Sequence, residues 1–292
     1  EIILNGPAAS PPPGTVSNFE NPPSKKSLGY GVLIATFTIS SLVTAMRFVV
    51  KLSLVKKMHT EDCHQAAEVG HVVPSFLVLQ FAPIIHQWDL QVKNIIRFLL
   101  YFNVGAIMYD VTILFLKLAI LIQFLRVFVV PGQRSKTFWI THMLIWTNSI
   151  FYFTCVFLEI FACRPIQKKW DPLIVTGSCL NVKVLDVTAA GVNFVSDLLI
   201  LIFSQKVIWC LNMARSQKAK VAAIFLVGAL ACAFSGLRFY HSYVIVNTQD
   251  IVYYASLAAL SSYAETAAGF LVICLPVLPK LCARIKKQNV IS

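Results

Sequence analysis

Apolar residues run along this chain in long, nearly uncharged blocks separated by short polar and basic stretches. A membrane-crossing helix needs about 20 predominantly apolar residues. Seven windows meet that length, at residues 28–50, 63–85, 99–125, 138–162, 187–209, 221–244 and 252–275. Strand-like alternation in short segments, as in a membrane barrel, is absent. The expected fold is therefore all-α: a polytopic membrane protein built as a bundle of seven transmembrane helices over residues 28–279. The second window is the most polar, with His64, Gln65, Glu68, His71 and Gln80, and it carries Pro74 and Pro83.

Charge orients the bundle. Lys and Arg cluster at or beyond the ends of the first, third, fifth and seventh windows: Arg47, Lys51, Lys56 and Lys57; Arg126, Arg134 and Lys136; Lys206, Arg215, Lys218 and Lys220; Lys280, Arg284, Lys286 and Lys287. The positive-inside rule then predicts the N-terminus outside and the C-terminus cytoplasmic, with residues 280–292 as a basic cytoplasmic tail. Residues 1–27 hold Pro11-Pro12-Pro13 and Pro22-Pro23 and no apolar leader core. They predict a disordered, Pro-rich extracellular tail.

Composition agrees. Of 292 residues, 57% are apolar and 13% charged, against about a quarter charged in soluble domains. Mean hydropathy is +0.71. The net charge of +12 belongs to the cytoplasmic loops, so nucleic acid is not an expected partner. The expected partners are the lipid bilayer, a lipophilic small molecule and a cytoplasmic signalling protein. The location is a plasma membrane or an endomembrane.

Deep inside the windows the candidate buried charges are Asp110, Lys117, Glu159, Asp197, Arg238 and Glu265. Such groups are costly in hydrocarbon, so they face the bundle interior and pair with one another. At about 1.5 Å of rise per residue, Asp110 and Asp197 lie about 15 Å from the outer ends of their helices, Glu265 about 20 Å and Lys117 about 25 Å. Two layers follow: a central one of Lys117 with Glu265 and Asp197, Asp110 just above, and an outer one of Arg238 with Glu159. They form either a structural lock between helices or the lining of a ligand, proton or catalytic site. In helices six and seven, Gly228, Cys232 and Gly236, then Ala255, Ala259, Ser262, Thr266 and Gly269, suggest close packing.

Cys163 and Cys179 flank one outer loop on the oxidising side and are expected to form a disulfide. His59, Cys63 and His64 lack a fourth ligand, so no metal is expected. No cofactor is expected either. The seventh window has no lysine for a retinal Schiff base. The chain has no phosphate loop, no G-x-S-x-G and no H-E-x-x-H.

Several motifs combine. They are Asn5-Gly6-Pro7 with Pro11-Pro12-Pro13-Gly14; Glu61-Asp62; an outer-loop motif of His86, Trp88 and Asp89; and Lys117, Leu118, Ile120, Leu121, Leu125, Arg126 and Phe128 in the third window. To these add Cys163, Pro165, Trp170, Pro172, Gly177 and Cys179; Ser196-Asp197; Arg238; and Glu265, Gly269, Leu275, Pro276, Leu278 and Pro279. In them the chain resembles the fungal rhodopsin-domain family of seven-helix integral membrane proteins, which includes the integral membrane protein of the satratoxin cluster. The likeness runs from about Asn5 to Pro279. It departs where "FAPII" replaces glycines before His86, and where Phe203-Ser204-Gln205-Lys206 replaces a Leu-Pro.

The resemblance implies fold and membrane location; fold does not set function. The expected role is receptor-like or sensory, without retinal. The alternative is a membrane-embedded enzyme or accessory protein of secondary-metabolite biosynthesis, with cyclase- or isomerase-like acid catalysis by Glu265 or Asp197. No D/E-R-Y follows the third window and no N-P-x-x-Y closes the seventh.

Overall fold

The computed structural model describes residues 5–54, 73–74, 76–129, 135–209 and 215–275. Its helices are α1 (Lys26–Leu54), a short α2 (residues 76–81), α3 (Val92–Phe128), α4 (Lys136–Ile160), α5 (Val182–Trp209), α6 (Arg215–Asn247) and α7 (Ile251–Cys274). A two-residue hairpin, β1 (Cys163–Arg164) and β2 (Ser178–Cys179), links α4 to α5. Among the described residues, five helices are long and apolar enough to cross a membrane: α3 to α7. Most of the second window, the Glu61-Asp62 pair, the His59, Cys63 and His64 group, Pro276 to Pro279 and the tail 280–292 lie outside the described residues.

The helices run past their apolar windows. α3 starts at Val92, and α6 at Arg215. Hydropathy ends where charge begins, but backbone hydrogen bonding does not. The charged extension of α3 is anchored: Lys93 donates to Asn5 Oδ1 (3.1 Å), and Arg97 lies over the Phe81 ring.

Polarity is reversed relative to a soluble bundle. On α4, Trp139, Met143, Trp146, Ile150, Phe153 and Phe157 are exposed. Their three- and four-residue spacing makes one continuous apolar stripe, the face that hydrocarbon covers. α7 is the central post. It packs against α1, α3 and α6, and its long buried face mixes large apolar residues such as Leu260 and Phe270 with small and polar ones: Ser256, Ser261, Ser262, Thr266, Gly269. Gly269 allows that approach, since a Cβ there would stand 2.3 Å from Leu116 Cδ2 of α3 and would force that side chain to shift. The glycines expected to serve the α6–α7 contact turn elsewhere. Gly228 and Gly236 face Leu201 and Phe194 of α5.

The N-terminal segment, expected to be disordered, is laid across the loop that precedes α3. Ala8 N donates to Leu90 O (2.8 Å) and Val92 N to Gly6 O (3.1 Å). Asn18 N donates to the buried Asp89 Oδ1 (2.9 Å). The segment is held by a single bridge, Pro7 with Gln91, and by these bonds, two of which use its own N–H groups.

That loop packs inward. Ile85 and Leu90 join Phe98, Val252 and Ala255 in one apolar cluster. Its turn is made by Ile84, whose φ is +55°. A β-branched residue rarely adopts that conformation. Ile84 is held by complete burial against Leu33, Leu79, Leu260 and Tyr263. It sits within the "FAPII" stretch that stands where glycines were expected.

Candidate functional site

Three helices enter the interior with polar side chains in register. On α5, Asp186, Asn193 and Asp197 recur at seven- and four-residue intervals, so they share one face. On α3, Tyr109 and Lys117 are eight residues apart. On α7, Glu265 is fully enclosed, at 2% exposure.

Lys117, 1% exposed, makes an ion pair with Asp197 Oδ1 at 2.9 Å. Its ammonium also donates to the carbonyl of Asn193 (3.2 Å) and stands over the Tyr152 ring. Asn193 is the hub. Its Oδ1 accepts from the Tyr152 hydroxyl, and its Nδ2 donates to Glu265 Oε1 (2.8 Å). The Tyr109 hydroxyl reaches both Glu265 oxygens at 3.0 Å. Arg238 Cζ lies 4.0 Å from the Tyr109 ring centroid. One polar chain thus runs Asp197–Lys117–Asn193–Glu265–Tyr109–Arg238, tying α3, α5, α6 and α7 together, with α4 joined through Tyr152.

Two pairings differ from those expected. Glu265 is bonded by the neutral Tyr109 and Asn193, and the close contact of Lys117 is with Asp197. Arg238 does not bridge to Glu159. Glu159 Oε2 is taken by Lys169 at 2.9 Å, which also donates to the Glu159 carbonyl (2.7 Å). The reason is direction. Helical side chains lean toward their own N-terminus. α6 runs toward the disulfide end, so Arg238 leans away from it, onto Tyr109. Glu159 is next to the last residue of α4, where a loop cation can reach it and the helix carbonyls favour positive charge. Asp110 is buried near this group and makes no side-chain hydrogen bond or ion pair among the described residues.

Cys163 and Cys179 form the disulfide, closing the loop that carries Lys169. Gly177, at φ +90°, is required in that hairpin, because a Cβ would fall 2.0 Å from the Arg164 carbonyl oxygen. His86 is stacked between Trp88 (4.5 Å) and Tyr253 (4.6 Å), with Nδ1 at 2.5 Å from Asp250 Oδ2. Gln87 N donates to Asp250 Oδ1 (2.9 Å). The outer-loop motif is therefore a joint between the loop and the start of α7.

Between this joint and the polar chain lies a cavity of about 270 Å³. Its wall is mainly apolar, with Phe98, Phe102 and Leu260. Its polar end carries Asn103, Tyr109, Asp186, Arg238 and the Glu159–Lys169 pair. Glu265 and Asp197, the acids singled out from sequence, lie behind Tyr109 and do not line it. Tyr109, Tyr152, Asn193, Lys169 and Asp186 were not among the site residues read from sequence. The signal for Asn193 and Asp186 was present, as polar residues on the stripe of α5 that holds Asp197. Among the described residues no group of His, Cys, Asp and Glu could hold a metal ion.

These features define a helical membrane protein with a buried ionic centre beside an apolar chamber. The chain belongs to the fungal rhodopsin-domain family, whose model matches residues 46–284. It is 30% identical over 99% of its length to Fugralins biosynthesis cluster protein 2 of Gibberella zeae, 73% of which it covers. It is 34% identical over 66% of its length to a SAT4 family membrane protein of Emericella nidulans, covering 48% of that protein. It is 25% identical over 57% of its length to Satratoxin biosynthesis SC1 cluster protein 4 of Stachybotrys chartarum, covering 60% of that protein. The chain thus spans about half to three-quarters of the relatives it matches. No solved structure matches it.

Proposed function

We propose that this chain is a seven-span membrane protein, N-terminus outside and C-terminus cytoplasmic, that captures a lipophilic small molecule in its outward-side cavity and acts as a receptor-like protein. The cavity carries the reading. It is apolar over most of its wall, with a few convergent polar groups at one end, the usual make-up of a small-molecule site. The polar chain leads from its floor through Tyr109 to Glu265, Asn193 and Lys117, so a ligand on Tyr109 or Arg238 bears on five helices. The basic segments at the opposite ends are the surface for a cytoplasmic signalling partner or anionic lipid. Lys117 is engaged by Asp197, Asn193 and Tyr152.

The test is ligand-dependent thermal stabilisation of purified protein by small lipophilic compounds. Ala259→Phe, which fills the cavity, should abolish it. Stabilisation that survives this change would remove the cavity from the argument.

A second reading is supported by the names of two relatives, which place them in biosynthetic clusters. In it the chain is an enzyme or accessory protein for a secondary metabolite. The acid would be Asp186, which lines the cavity, in place of Glu265 or Asp197. Gene deletion separates the two: an accumulating precursor marks an enzyme, and unchanged metabolites with a lost response mark a receptor.

A further inference from the structure

Most interior charges have a partner, and two acids, Asp110 and Asp186, are left over among the described residues. Lys117 has Asp197. Lys169 has Glu159. Arg238 lies on Tyr109, whose hydroxyl is bonded to both oxygens of Glu265. The remaining carboxylate on the cavity wall is Asp186. It makes no hydrogen bond or ion pair among the described residues. Lys183, one turn before it, donates instead to the Thr248 carbonyl (3.3 Å).

A second group on the same wall has the same deficit. Asn103 is 8% exposed, it lines the cavity, and its Oδ1 has no hydrogen-bond partner. A buried acceptor without a donor costs about 1–3 kcal/mol; Asp186 is half-buried and shares its wall with Lys169 and Arg238, neither of which bonds to it. Both deficits are acceptors, and both face one apolar space. A single occupant can satisfy both by bringing hydrogen-bond donors, and one with a positive charge suits the carboxylate best.

We propose that the cavity selects a protonated amine carried on an apolar scaffold, with Asp186 as its counter-ion and Asn103 Oδ1 as a second acceptor. This rests on the reading that the cavity holds a small molecule and adds the chemical class.

The experiment compares decylamine, decanol and decanoic acid on detergent-purified full-length chain, by native mass spectrometry and thermal stabilisation. The amine should bind at least about tenfold tighter than the alcohol, the least expected of a charge-assisted hydrogen bond in an apolar site. Asp186→Asn should erase that margin while leaving decanol affinity unchanged. Asn103→Leu, which also serves should the aspartate variant fail to fold, should lower amine affinity alone. Equal binding of amine and alcohol, or tighter binding of the acid, sensitive to Ala259→Phe, would overturn the amine assignment and leave the cavity reading standing. If no probe binds, or if binding ignores Ala259→Phe, both fall.

Discussion

Arg238 stands over the face of Tyr109, and the hydroxyl of that same ring is bonded to both oxygens of Glu265. One tyrosine therefore separates a guanidinium from a carboxylate that share no direct contact, and holds each by a different part of its structure. Tyr109→Phe should keep the cation on the ring and remove the donor from the acid. The expected loss is about 1–3 kcal/mol, read as a lower unfolding midpoint in detergent. Tyr109→Leu should cost more, because the cation–π contact goes too.

Lys117→Met leaves Asp197 buried without its cation, a change worth about 3–5 kcal/mol. Its Oδ2 already has no partner. Lys117→Met with Asp197→Leu should recover much of that loss, since an apolar pair of similar volume suits the interior. Thermal unfolding of the two single variants and the double variant checks this. A double variant no more stable than Lys117→Met would contradict the pairing.

Gly269→Ala drives a methyl toward Leu116. α3 and α7 must then separate or Leu116 must leave its rotamer, at about 1–3 kcal/mol. Gly269→Ala combined with Leu116→Ala should be milder than the sum of the two single changes. Midpoints from all three variants decide it.

Cys163 and Cys179 should resist alkylation without reductant, so intact mass should show neither labelled. Replacing both with serine opens a loop with a sequence separation of 16. The chain-entropy model assigns such a closure about 3 kcal/mol. An unchanged unfolding midpoint in the double serine variant would refute that contribution.

Asp250→Ala removes an acceptor from Gln87 N and the partner of His86. Hydrogen exchange should rise over residues 84–92 and spread to residues 6–8, which hang on Leu90 and Val92 through backbone bonds. Exchange confined to residue 250 would show that the joint does not hold the segment.

Helices and their approximate limits could be read from sequence because hydropathy is a local property summed over about 20 residues. The interior position of Lys117, Asp197 and Glu265 could be read too, since desolvation forbids a lipid-facing charge. Partner choice could not. It depends on which way each helix runs and leans, and that gave Glu159 to Lys169 of a loop rather than to Arg238. Asn193 escaped notice because it is uncharged, although it bonds to more helices than any acid does. The Pro-rich segment looked unstructured because its partner, the 84–91 loop, is remote in sequence. Ile84 shows the limit of residue preference: an unfavourable backbone angle is tolerated where burial holds it.

Lys169 belongs to a hairpin beyond the helices, yet its amine reaches down to Glu159 and forms part of the chamber wall. A thiol reagent that never enters the bundle can therefore unfasten that wall by cutting Cys163 from Cys179. The covalent state of that outer hairpin and the shape of the chamber are in this way joined through one side chain.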